Sequence, residues 1–209
     1  MEYKKYIRKT IRDCKKNGTI LNIKDSGDLK GHLVCVGWYT EPHGKMVMMW
    51  REANQIGFAN RFEGSMEKTK YWFENILLPN DEKILFFVNL LSGMVIGHLG
   101  FASFDFEKKT AEIDNVVRGV KSIGHGMMAL ATKTLIAWGK EKLLLEDIFL
   151  RVLDDNPHAI TFYERLGFKE VNRIPLFKVE HNNMIEWILL EEYEKREPDK
   201  HFIVMKLCQ

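Results

Sequence analysis

The sequence predicts a mixed α/β (α+β) fold: a mostly antiparallel central sheet flanked by helices and carrying one parallel strand pair. Three observations lead there. Two β-rich runs, Ile84 to Leu91 and Met94 to Phe106, are separated by Ser92-Gly93, a short glycine turn of the hairpin kind. A second turn, Glu107-Lys108-Lys109-Thr110, leads into a third run, Ala111 to Val117, which completes an antiparallel meander. The order then changes to loop, helix (Met127 to Lys142), apolar strand (Ile148 to Leu153) and helix (Pro157 to Leu166). A parallel pair requires such a crossover, so Ala111 to Val117 and Ile148 to Leu153 are expected as parallel neighbours.

The remaining elements follow from periodicity and punctuation. Tyr3, Tyr6, Ile7, Thr10, Ile11 and Cys14 recur at helical spacing with Lys and Arg between them, and Asn17-Gly18 stops the pattern. This helical extension over residues 1–18 is expected to pack on the body with a solvated basic face. His32 to Trp38 reads as a strand and Pro42-His43-Gly44 as a turn before a helix from Lys45 to Asn54. Ser65 can cap a helix reaching Leu77, with Tyr71, Trp72, Phe73 and Ile76 as its apolar face and Pro79-Asn80 at its end. Pro157 suits the first turn of the last helix and Gly167 its stop. Phe177 to Glu194 is read as a strand followed by a helix, and Phe202 to Leu207 as a final strand.

The totals bound the class. A chain of 209 residues is the size of one domain, here taken as 1–209, and 45% hydrophobic with 29% charged residues is the balance of a folded globular protein. A net charge of +2 lacks the basic excess that nucleic-acid binding usually needs. Cys14, Cys35 and Cys208 are odd in number and widely spaced, without metal-ligand spacing, which fits a reduced cytoplasmic setting and no metal. Met1 to Ile7 has no signal-peptide core and no run approaches about 18 apolar residues, so neither export nor a membrane is expected. The oligomeric state is left open, a dimer among the options.

The chemistry concentrates in Lys121-Ser122-Ile123-Gly124-His125-Gly126, which places a cation and two glycines before the helix that opens at Met127. Glycines let a backbone turn its N–H groups outward, and the helix adds the positive end of its dipole, a geometry that holds phosphate. Gly124-His125-Gly126-Met127-Met128-Ala129 also fits the dinucleotide fingerprint. Against a Rossmann fold, the meander comes first, Arg118 and Lys121 interrupt the approach to Gly124, and too few β-α units follow.

The meander, Lys121-x-x-Gly124-x-Gly126, the long helix and Asn156-x-x-Ala159-x-x-x-Tyr163-x-x-x-Gly167-Phe168 together resemble the GNAT acyltransferase superfamily, from about Ile84 to Asn172. Its pattern is Arg/Gln-x-x-Gly-x-Gly/Ala, so Lys121 departs from it but keeps the cation. The resemblance implies an acetyl-CoA site in a V-shaped gap where the fourth and fifth strands splay. Backbone around Val116 and Val117 would hold the pantetheine arm like an added strand, amides from Ser122 to Met127, Ile123 and His125 included, would cradle the pyrophosphate, and Asn156 and Tyr163 would lie beside the thioester.

Acyl transfer to an amine needs loss of the amine proton, an oxyanion donor and protonation of the departing thiolate. Tyr163 is the expected acid, since a tyrosine hydroxyl within reach can donate to a thiolate. The base is open. Related enzymes often place a Glu on the fifth strand, but Arg151 stands near that place. Glu112 and Asp114 share one side of the preceding strand, and His98 is a third candidate. The acceptor is read from Met49-Trp50-Arg51-Glu52 and Ser65-x-Glu67-x-x-x-Tyr71-Trp72-Phe73, which resemble the opening helices of members that acetylate nucleotide-linked amino sugars and of the ribosomal-protein N-terminal group. Trp50 and Trp72 could stack on a sugar or base and Arg51 could pair with phosphate. An amino-sugar nucleotide is the expected acceptor. A protein N-terminus, another small amine, or a non-catalytic CoA-binding module are the alternatives.

Overall fold

The computed structural model describes residues 2–181, 184–189 and 197–208. Ten strands form one sheet in the order β1-β2-β4-β5-β6-β7-β10-β8-β9-β3. The strands are β1 (Ile20–Asp25), β2 (Asp28–Cys35), β3 (Asn60–Arg61), β4 (Ile84–Leu90), β5 (Val95–Asp105), β6 (Thr110–Arg118), β7 (Asp147–Leu153), β8 (Phe168–His181), β9 (Met184–Ile188) and β10 (Lys200–Leu207). The helices are α1 (Glu2–Asn17), α2 (Glu41–Ala53), α3 (Met66–Tyr71, continued by a π-helical turn over Trp72–Leu77), α4 (Met127–Lys142) and α5 (Pro157–Arg165). Every pairing is antiparallel except β6 with β7, the pair expected to be parallel.

Side chains alternate across a strand, and β4 shows how this sheet is covered on both faces. Ile84, Phe86 and Val88 join the large core beneath α1, α4 and α5, while Leu85 and Phe87 point the other way and pack with Val47, Phe73 and Leu77 of α2 and α3. The amphipathic α1 lies on the body through Ile7, Ile11 and Cys14. Its tyrosines donate from Tyr3 to Leu143 O and from Tyr6 to Lys142 O, both at 2.7 Å, filling carbonyls at the end of α4. Its basic face is ion-paired, Arg8 with Glu82 and Arg12 with Asp81.

Lys15 is the exception on that helix, because it is buried. Its ammonium donates to Leu77 O at 2.6 Å, Leu78 O at 3.3 Å and Asn80 O at 2.7 Å, which closes the C-terminal end of the α3 segment from outside. Lys15→Met keeps the buried stem and strands these acceptors. It is expected to cost about 3 kcal/mol, read as a fall in Tm of roughly 6–12 °C for a chain of this size. A shift below about 2 °C would leave the three bonds without energetic weight.

Three expectations change, and one strand is added to them. Pro42-His43-Gly44 is the opening of α2 rather than a turn, because the Thr40 hydroxyl accepts from His43 N at 3.3 Å and proline in a first turn loses no helical hydrogen bond. Ser65 caps α3 and Phe73 is buried as expected, yet Tyr71 and Ile76 are exposed, and the wider π turn puts Leu77 on the buried side beside Phe73. Strand β1 precedes β2 without a strand signal of its own, since it carries the polar Asn22, Lys24 and Asp25. Phe168–His181 is one long strand, and Met184–Ile188 is a strand where a helix was expected; the rest of that helix falls at 190–194, outside the described residues.

Candidate functional site

The loop between β6 and α4 adopts the conformation its glycines allow. Gly124 has φ +66° and Gly126 φ +81°, both left-handed, and a Cβ on Gly124 would stand 2.8 Å from Ile96 Cδ1. Among the described residues, the backbone N–H groups of Ser122 to Gly126 have no protein acceptor; Met127 N is engaged by Gly124 O at 3.1 Å. A row of unclaimed amides ahead of a 16-residue helix is an anion-binding arrangement.

Beside the loop the sheet opens. Pairing of β6 with β7 covers Thr110–Asp147, Ala111–Ile148 and Glu112–Phe149 and then stops, although β6 continues to Arg118 and β7 to Leu153. A β-bulge in β6 sharpens the divergence: His98 pairs with Val117 and Gly100 with Asp114, so β6 carries one extra residue, and Asn115 sits at φ +53°. Val116 and Val117 therefore lie on the diverging stretch.

Tyr163, His98 and Arg51 all lie within reach of the Asp114 charge on β6. Tyr163 of α5 is 8% exposed, flanked edge-on by Phe162 and Phe168, and its hydroxyl makes no hydrogen bond among the described residues. Burial, with the Asp114 charge second, raises its pKa, so it stays protonated. His98 is buried under Trp50, with ring centroids 6.0 Å apart. Its Nδ1 lies 2.7 Å from Asn115 O, and because a carbonyl only accepts, Nδ1 carries the proton and Nε2 the lone pair. Asp114 Oδ2 receives Lys83 Nζ at 2.7 Å and Asn115 Nδ2 at 2.6 Å. Glu112 is held by Arg151, whose Nε reaches Oε2 at 2.9 Å, so Arg151 occupies the fifth-strand position by neutralising the acid beside it.

On the far side, Arg51 places its guanidinium 3.6 Å from the Phe58 ring centroid and 5.4 Å from that of Phe62, with Nη2 donating to Asn60 O at 3.0 Å. It has no ion pair among the described residues, and burial lowers its pKa. Trp50 is 8% exposed and lies over Gly119, where any Cβ would fall within 2.0 Å of the indole. Trp72 packs edge-on against Phe73. Asn156 caps α5, its Oδ1 accepting from Ala159 N at 3.2 Å.

The sequence profile of the acetyltransferase (GNAT) domain matches residues 34–169. The chain belongs to the GNAT acetyltransferase family. An N-acetyltransferase 9-like protein of Caenorhabditis elegans is 31% identical over 70 residues, covering 33% of this chain and about a third (35%) of that relative. Two solved structures of the spermidine/spermine N-acetyltransferase SpeG from Vibrio cholerae share the fold. Mutant forms of that enzyme give a TM-score of 0.59 at 16% identity, over 85% of this chain and 92% of that one. The complex with manganese ions gives 0.55 at 16% identity, over 85% and 91%.

GNAT enzymes use acetyl-CoA as co-substrate, and the unclaimed amides, the opened strand pair and the unbonded Tyr163 hydroxyl fit such a molecule. Four positions beyond the candidates also shape this region. Lys83 holds Asp114, Asn115 makes the bulge, Gly119 seats Trp50, and Arg118 braces the loop. Only Asn115 carried a signal, since asparagine tolerates left-handed backbone better than other non-glycine residues. Among the described residues no group of three metal-ligating side chains occurs and no helix is long and apolar enough to cross a membrane.

His98 gives a pH prediction. Burial lowers its pKa from 6.5 to about 4. Between those values the unfolded chain binds more protons than the folded one, so stability is fully present above pH 6.5 and is lost as pH falls towards 4. Denaturant unfolding at pH 7 and pH 4 is expected to differ by about 3 kcal/mol from this group, and His98→Gln should lose that share of the difference. An unchanged pH dependence in the variant would assign the acid lability elsewhere.

Proposed function

We propose that the chain is an N-acetyltransferase, one acyltransferase domain over residues 1–209, that moves acetyl from acetyl-CoA to a primary amine by direct attack. The observation carrying this reading is the opening between β6 and β7, with unclaimed amides in the loop that follows β6 and an unbonded Tyr163 hydroxyl that feels the Asp114 charge of that strand. Bound acetyl-CoA supplies an activated thioester. Ser122 to Gly126 hold the diphosphate through their amides, with Lys121 adding charge, and the unpaired backbone of β6 near Val116 and Val117 binds the arm by hydrogen bonds. A backbone N–H near Val116 serves the carbonyl oxygen. Tyr163 donates its proton to the departing sulfur; burial raises both the phenol and an adjacent thiolate's basicity, which keeps the transfer matched.

Asp114 is the proton acceptor of the incoming amine, acting through water. Its charge acts on Tyr163, His98 and Arg51 alike, and both its bonded partners use Oδ2, leaving Oδ1 free among the described residues. His98 Nε2 is the second candidate, and Glu112 serves to hold Arg151.

For the acceptor, the amino-sugar nucleotide remains our reading. Arg51, aromatic-walled and without a carboxylate partner among the described residues, suits an anionic group. The SpeG structures are named for spermidine and spermine, polycations that would need acidic walls, whereas Glu112 and Asp114 are already paired with Arg151 and Lys83. The buried Trp50 is a wall of the site rather than a stacking platform. Thiol release from acetyl-CoA, run with nucleotide-linked amino sugars, spermidine and N-terminal peptides, tests the reading. Release with the sugar nucleotides supports it; release with spermidine or peptides alone removes the acceptor assignment. CoA binding with no release across the panel would make the chain a binding module.

A further inference from the structure

Arg118 ends β6 beneath the glycine loop, and its guanidinium is committed to the loop's backbone. Nε donates to Val120 O at 3.3 Å, and Nη2 donates to Lys121 O at 2.9 Å and Ile123 O at 3.2 Å. It has no carboxylate partner among the described residues. The direction of the neighbouring amides follows from peptide geometry. Across a trans peptide plane the carbonyl of one residue and the N–H of the next point in opposite directions, and the described chain has no cis peptide. Drawing the carbonyls of Val120, Lys121 and Ile123 onto one cation therefore turns the N–H groups of Lys121, Ser122 and Gly124 away from it. Those three amides are among the loop donors that find no acceptor in the described protein.

We propose that Arg118 is the positioning residue of the phosphate loop, aiming these amides at the diphosphate of CoA without touching the ligand. The arrangement exploits what separates arginine from lysine. A planar guanidinium presents donors in a fixed fork and can hold several carbonyls at once, while an ammonium is a point charge on a flexible stem. The positive charge also lies behind the amides, so it adds to the field that an anion meets there. Gly124 and Gly126 allow the loop this path, and Arg118 selects it from the many that glycine permits.

The inference rests on the CoA reading, and the test separates the two. Arg118→Lys and Arg118→Gln are compared with the wild-type protein for binding of CoA and of pantetheine, which lacks the diphosphate, by calorimetry and ligand-observed NMR. Both variants are expected to bind CoA about ten- to a hundredfold more weakly and pantetheine within about twofold of wild type. CoA affinity unchanged in both variants would overturn the proposal, as would parallel loss of CoA and pantetheine, which would mean a general structural role. A wild-type protein that fails to prefer CoA over pantetheine would instead overturn the assignment of the loop itself.

Discussion

Tyr163→Phe is expected to lower turnover by about 10²–10⁴-fold while leaving the affinity for acetyl-CoA within about twofold. The substitution deletes one hydroxyl and keeps the ring that packs against Phe162 and Phe168, so the fold and the backbone around Val116 and Val117 are untouched. That hydroxyl has no partner among the described residues, and its removal leaves no stranded donor or acceptor behind. Stability should hold or rise slightly. Steady-state kinetics alongside calorimetry measures both quantities, and turnover within about threefold of wild type would strip Tyr163 of the acid role. A matched loss of affinity and turnover would make it a packing residue.

Gly124→Val should act in the opposite way, on binding before chemistry. A β-branched residue at φ +66° is strained by about 1–2 kcal/mol, and the new Cβ would meet Ile96 Cδ1 at 2.8 Å, an apolar atom of a fully buried residue that cannot retreat far. The loop relieves both by abandoning its path, which scatters the amides. CoA affinity is expected to fall by about thirty- to a hundredfold, or 2–3 kcal/mol, with pantetheine affinity preserved. Undiminished CoA binding by calorimetry would place the diphosphate elsewhere.

How much of this could be read beforehand depends on how local the cause is. The Ser92-Gly93 hairpin, the Asn156 and Pro157 opening of α5 and the Gly167 stop are short-range rules, and the structure follows them. The parallel placement of β6 and β7 was legible because a crossover helix leaves few alternatives. Thr40 capping a proline-led helix was equally local but was masked by the turn-like look of Pro42-His43-Gly44. Other features were hidden because their causes are tertiary. Nothing near Glu112 in sequence announces Arg151, 39 positions away, and nothing near Asp114 announces Lys83. The burial of Trp50 on His98 and Gly119 likewise joins three distant segments, so a tryptophan that looked like an open platform is covered. Arg118 was visible only as an interruption before the glycines, since the carbonyls it gathers have no side-chain signature.

The placement of β10 has a consequence for synthesis. It is the last described strand to be made, yet it lies inside the sheet, pairing β7 through Phe202–Leu153 to Lys206–Phe149 and β8 through Lys200–Leu176 to Leu207–Phe168. Until residue 207 has cleared the ribosome, β7 and β8 both present open hydrogen-bonding edges, the kind that recruit foreign strands. The nascent chain must therefore wait, half-closed, for its central seam, and removing Lys200–Leu207 would yield an aggregating product rather than a weaker enzyme.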